Sequence, residues 1–170
     1  MMFRHIGYFK KRNSCSIAVF LICCFFLLSA YIPEAETGTN TVLVHANIVW
    51  EMTDIVMQEN SVLSWSVEKD NLWSFNPDLY PEGHTADGIP VLALINYVLI
   101  DQPIGMLIGR FGDCGRTFPM GSKGSIFALP NEEGEFLYLS MNDDIIGNYG
   151  KGFKDNIGTL KVRITQTRNN

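Results

Sequence analysis

The chain has 170 residues, the length of a single domain, with 13 Lys plus Arg against 18 Asp plus Glu. Arg4, Lys10, Lys11 and Arg12 fall in the first thirty residues, which hold no acidic side chain, so residues 31–170 are strongly acidic. Such a body has no basic stripe for a phosphate backbone, and no nucleic acid partner is expected. With 46% apolar residues and 15 glycines it is neither disordered nor collagen-like, and it is long enough to bury its own core.

The four bases precede an uninterrupted apolar run from Ile17 to Ala30. At roughly 1.5 Å per residue the run spans about 21 Å as a helix, short for a bilayer. Basic start, apolar middle and the small pair Ser29-Ala30 read as a secretory signal peptide over residues 1–30, cut after Ala30. The protein is then expected to be secreted, periplasmic or in the cell envelope. The competing reading is an uncleaved anchor extended to Ile32, and membrane contact is expected on that reading alone. Cys15, Cys23 and Cys24 lie within this leader, which leaves Cys114 and no internal disulfide framework. Residues 31–40, small and polar after Pro33, read as a linker, and the domain is expected over 41–170.

Strands are predicted from Thr41 to Val49, at Leu63, Trp65 and Val67, from Val91 to Ile100, from Met106 to Phe111, and from Ser125 to Leu129. Leu137, Leu139 and Met141 alternate with Tyr138 and Ser140. Leu160, Val162 and Ile164 alternate with Lys161 and Arg163, which should face solvent. No long window has helical spacing, and 13 of the 15 glycines between residues 83 and 158 cut that region into short strands and turns. The expected fold is all-β, an antiparallel β-sandwich or jelly roll with its site on the end loops.

Asn142, Asp143 and Asp144 directly follow one predicted strand, and Asp155 and Asn156 directly precede the last. Carboxylate and amide oxygens with loop carbonyls and no thiolate nearby suit calcium, which takes six to eight oxygen ligands; the spacing is not that of an EF-hand. The plain alternative is a solvated acidic turn.

At these residues the chain resembles the galactophilic PA-I (LecA-like) lectins of Gram-negative bacteria. The resemblance rests on Gly105 to Gly112, the turn and strand through Pro119, Leu139-Ser140-Met141-Asn142-Asp143, and Asp155-Asn156-Ile157-Gly158-Thr159-Leu160. It implies a jelly-roll sandwich of the galactose-binding kind, with one calcium ion whose coordination shell is completed by two adjacent sugar hydroxyls. It implies metal ligands at Asp143, Asp155 and Asn156, with main-chain carbonyls from Phe75 and Asn148. Asp155 stands where the family has an asparagine, which adds charge for the ion and removes an amide donor from the sugar's reach. His84-Thr85-Ala86-Asp87-Gly88 stands where the family has His-Pro-x-Gln-Gly, so His84 and Asp87, with Phe75, Asp143 and Asp155, are the implied sugar contacts. The family also forms oligomers.

The expected function is therefore a calcium-dependent lectin for galactose-like glycans and not an enzyme. The alternative is a calcium-stabilised structural or interaction domain of the envelope with no sugar ligand, favoured by the loss of the family's glutamine. A hydrolase is the weakest class, because neither Cys114 nor pairs such as Glu132 and Glu133 have a partner that sequence can place.

Overall fold

The computed structural model describes residues 37–148 and 151–168. The leader, its three cysteines and the start of the linker lie outside the described residues. Nine strands are described: β1 Thr37–His45, β2 Glu51–Val56, β3 Ser61–Val67, β4 Trp73–Ser74, β5 Leu107–Phe111, β6 Thr117–Pro119, β7 Lys123–Phe127, β8 Phe136–Met141 and β9 Ile157–Arg168. They form two antiparallel sheets in the orders β1-β9-β3-β7, with β4 also paired to β9, and β2-β8-β5-β6. The sheets pack face to face, so the expected all-β antiparallel sandwich is present.

The last strand organises the first sheet. β9 pairs with β1 along one edge, from Thr37 opposite Thr167 to His45 opposite Thr159, and with β3 along the other. Its Leu160, Val162 and Ile164 are buried, while Lys161 and Arg163 are exposed, as the alternation requires. From the facing sheet, Leu137, Leu139 and Met141 of β8 with Leu107 and Phe111 of β5 complete the core. Two tryptophans tie sheets to loops: Trp65 Nε1 donates to Met120 O at 3.1 Å, and Trp73 Nε1 donates to Gly105 O at 3.0 Å. Both rings are core residues rather than an exposed stacking platform.

Several boundaries differ from expectation. β1 begins at Thr37, inside the expected linker, and stops at His45, where Ile48 N bonds back to His45 O at 3.2 Å. β7 lies two residues earlier than predicted. The apolar run Val91 to Ile100 is not a strand. Asn96 and Asp101 take positive φ of 87° and 59°, Tyr97 N turns back to Leu94 O, and the segment contributes only the isolated bridges Leu92–Pro103 and Tyr97–Asp144. β2 went unpredicted because Met52 and Val56 put apolar groups on its exposed face; its buried residues are Thr53 and Ile55.

Antiparallel pairing brings the C-terminal end of β8 and the N-terminal end of β9 to the same end of the sandwich. Asn156 Nδ2 reaches both Ala46 O, at 3.1 Å, and Met141 Sδ, at 3.5 Å.

Candidate metal centre

The centre starts from Asn142, fully buried at the end of β8. Its side chain holds the main chain of residues 99–103: Oδ1 accepts from Leu99 N at 2.8 Å, and Nδ2 donates to Leu99 O at 2.9 Å and Pro103 O at 3.1 Å. Its own main chain pairs with Gly105 N and Met106 O, both at 2.8 Å. The loop between β4 and β5 is thereby fixed beside the next residue.

That residue is Asp143, 4% exposed. Its Oδ1 accepts from Asp144 N at 2.7 Å, and its Oδ2 is buried with no hydrogen-bond partner. Burial pushes its carboxyl pKa above the ordinary 3.8, with the neighbouring charges of Asp144 and Asp155 adding to the rise and hydrogen bonding by the Asp144 main chain and the Asn156 side chain opposing it. The charges of Asp143 and Asp155, twelve positions apart in sequence, therefore act on each other across this end of the fold.

Two further oxygens share the condition of Asp143 Oδ2. Asp155 Oδ1 and Asn156 Oδ1 are buried without partners, and among the described residues only one other side-chain polar atom, Arg110 Nε, is left in that state. The Asn156 amide is fixed by its donation to Ala46 O, which leaves the oxygen as the free acceptor. A buried carboxylate or amide oxygen without a donor costs about 1–3 kcal/mol, so each of these three oxygens is left able to accept from a bound group. Among the described residues no three or more His, Cys, Asp or Glu side chains gather as a metal-binding group. The donors here are two carboxylates and an amide, an oxygen set that suits calcium and excludes a thiolate or imidazole zinc site.

Phe75 continues the β4 chain. Trp73 pairs with Gly158 and Ser74 with Ile157, and Phe75 follows directly after this short pairing. Its ring packs on His84 and Tyr80, with centroids 5.4 and 5.1 Å away. Asn148 is exposed in the loop after Asp144. That loop folds back tightly: a Cβ on Gly152, whose φ is +57°, would lie 2.5 Å from Asp144 O, so glycine is required there.

No protein-family model and no curated protein matches this chain. The site is thus defined by its own chemistry.

The two implied sugar residues sit in bonded positions. His84 is buried; Phe75 N donates to its Nε2 at 3.4 Å, and its Nδ1 faces Thr85 O at 3.2 Å, an arrangement for the neutral ring with the proton on Nδ1. Burial lowers its pKa from 6.5, against the raising effect of the Thr85 carbonyl. The ring lies against Gly105, where any Cβ would meet its Cε1 at 2.3 Å. Asp87 is exposed, yet both its oxygens accept from Ser122, Oδ1 from the main-chain N at 2.7 Å and Oδ2 from Oγ at 2.6 Å. It clamps the turn before β7. The charges of Asp143 and Asp155 and the Asn156 side chain act on one another, while Phe75 packs against His84 and Tyr80. The roles of Asn142 and Ser122 as anchors escaped sequence reading, because each depends on a partner 35 or more residues away.

Proposed function

We propose that this is an exported, calcium-dependent carbohydrate-binding protein that recognises galactose-like sugars, and that it is not an enzyme. The observation that carries the reading is the set of buried, unpartnered oxygens on Asp143, Asp155 and Asn156. These three side chains would hold the ion, joined by the main-chain carbonyls of Phe75 and Asn148 that the resemblance to PA-I lectins implies. A bound calcium ion supplies coordination positions that two vicinal hydroxyls can fill. The chain's own residues do the rest: Ala46 O orients the Asn156 amide and Asn142 pins the loop beside Asp143, while Phe75, packed on His84, would wall one side. Single-site affinity is expected to be modest, so several copies on one assembly would be needed for tight attachment.

Calcium-dependent retention on a galactose resin tests the reading. Asp143→Ala should abolish calcium binding and sugar retention together. Retention at full strength in excess chelator would refute the shared site.

One observation favours a second reading, in which the ion clamps two loops and no saccharide enters. The ring nitrogens of His84 and the carboxylate of Asp87 already have partners inside the protein. On that reading calcium raises the melting temperature, while a glycan array with and without calcium shows no binding.

A further inference from the structure

The edge of a sheet is a row of unpaired main-chain donors and acceptors, and folds guard it with short strands, charged side chains, proline or bulges. Of the four strands that end the two sheet orders, three are guarded in this way. β7 is five residues long and carries Lys123, and β6 is three residues long and ends in Pro119. β2 carries Glu51 and Asp54 and is interrupted by a register shift between Met52 and Val56. β1 has none of these devices. It runs nine residues without Pro, Lys, Arg, Asp or Glu, and its register with β9 continues unshifted from Thr37 opposite Thr167 to His45 opposite Thr159.

The ladder shows which groups of β1 stay open. Ala46 N donates to Gly158 O at 3.1 Å, one step beyond the pair His45 and Thr159, so the residues in phase with Ala46, namely Val44, Val42 and Asn40, bond inward to β9. The alternate residues Thr39, Thr41 and Leu43 turn their N–H and C=O groups outward, and among the described residues β9 is the only strand paired with β1. All three are exposed, Leu43 by 55%.

This edge is complementary to itself. A second copy turned about a two-fold axis at Thr41 sets Thr41 opposite Thr41 and Thr39 opposite Leu43, so outward residues meet only outward residues, as an antiparallel ladder requires. The apolar side chain of Leu43 is then covered by the second copy's Thr39. The edge is also where two copies of a strongly acidic body can meet on uncharged strands. The acids nearest β1, Glu51 and Asp54, stand on β2 in the other sheet, and Glu51 is already bonded to His45 at 2.9 Å. Arg163, opposite Thr41 on β9, would lie three strand spacings from its counterpart, roughly 14 Å and beyond the Debye length of about 8 Å.

We propose that two copies of this chain pair antiparallel through β1, with the two-fold axis at Thr41, and so join their first sheets into one continuous sheet. Pairing does not require the ion of the preceding reading. An interface built on one strand from each copy is small, and its dissociation constant is expected on the order of 10 µM.

The test is sedimentation velocity of the purified full chain, in chelator, at concentrations on either side of that value. A monomer and dimer in exchange are expected. Leu43→Lys places a charge on the exposed side of the edge without touching the core, and should weaken the dimer at least about tenfold at an unchanged melting temperature. A second measurement locates the contact whether or not that variant folds. In a chain whose 4 native cysteines are serine, Thr41→Cys should be joined to its counterpart by a short bismaleimide, while Ser125→Cys, exposed on β7, should not. A monomer at every concentration overturns the proposal. So does a dimer that folded Leu43→Lys leaves intact, or one in which Thr41→Cys is not joined. Because calcium is absent throughout, the result is independent of the metal reading, which the titration of calcium tests by itself.

Discussion

Glu132 and Asp143 are both carboxylates almost fully withdrawn from water, 3% and 4% exposed, and they are treated in opposite ways. Glu132 sits in the 3-10 turn Pro130–Glu132, where Arg116 donates to it through Nε at 2.8 Å and Nη2 at 2.9 Å and Leu129 N donates at 2.8 Å. Every demand of that charge is met from within the chain. Asp143 has one main-chain donor and hydrogen bonding from the Asn156 side chain to lower its proton affinity, against burial and the charges of Asp144 and Asp155 raising it, and its Oδ2 has no hydrogen-bond partner. The first is a structural group, complete as it stands; the second has an oxygen left open, and the proposed function sets a calcium ion there.

The sharpest way to break this contrast is to exchange the fates of the two groups. Glu132→Ala strands a partly exposed guanidinium and an amide, and should cost about 3 kcal/mol in a denaturant melt, with or without calcium. Asp143→Asn should behave differently in chelator: it removes a charge the fold disfavours and should leave the metal-free protein as stable as before or more so. A loss comparable to that of Glu132→Ala would show that Asp143 is structural.

The next effect lies in the calcium response. At calcium a hundredfold above its dissociation constant the wild type should gain about 2.7 kcal/mol, and Asp143→Asn should gain nothing. The dependence on pH sharpens it. A carboxyl whose folded pKa is raised above 3.8 contributes stability that is fully present below 3.8 and is lost as pH rises through the folded value. In chelator, the advantage of Asp143→Asn over wild type should therefore be largest at neutral pH and close as pH falls through that value. His84 works the other way in both proteins: its contribution is present above 6.5 and lost as pH falls through its lowered folded value. Because it is common to both, the difference between their melts isolates Asp143.

The smallest effect separates clamp from contact at Asp87. Asp87→Asn weakens its hold on Ser122 and should cost about 0.5–1 kcal/mol. If Asp87 also touches a sugar, retention on the galactose resin falls while the calcium response stays intact; unchanged retention assigns it to the turn alone.

How far the sequence could be read follows from how local each signal is. Alternation along β8 and β9 is a property of consecutive residues, and Leu160, Val162 and Ile164 are buried as their spacing requires. Val91 to Ile100 has the composition of a strand, but Pro90, Asn96 and Asp101 bend it, and its aliphatic side chains point outward for reasons that composition cannot express. β2 has the reverse problem, a true strand whose outer Met52 and Val56 hide its alternation. The acidic segments at 142–144 and 155–156 were legible as candidates because they flank two clear strands. Their bare oxygens were not, since whether an oxygen lacks a donor depends on residues such as Ala46 and Asn142 that long-range pairing brings in. For the same reason His84 and Asp87 were legible as polar loop residues, while their bonds to Phe75 and Ser122 were visible only in the fold.

The most direct measurement is calorimetric titration of calcium into the chelator-treated, purified protein and its Asp143→Asn variant at neutral pH. The account predicts one saturable site per chain in the wild type and no binding heat in the variant. An equal response in the two proteins, or none in the wild type, would contradict it.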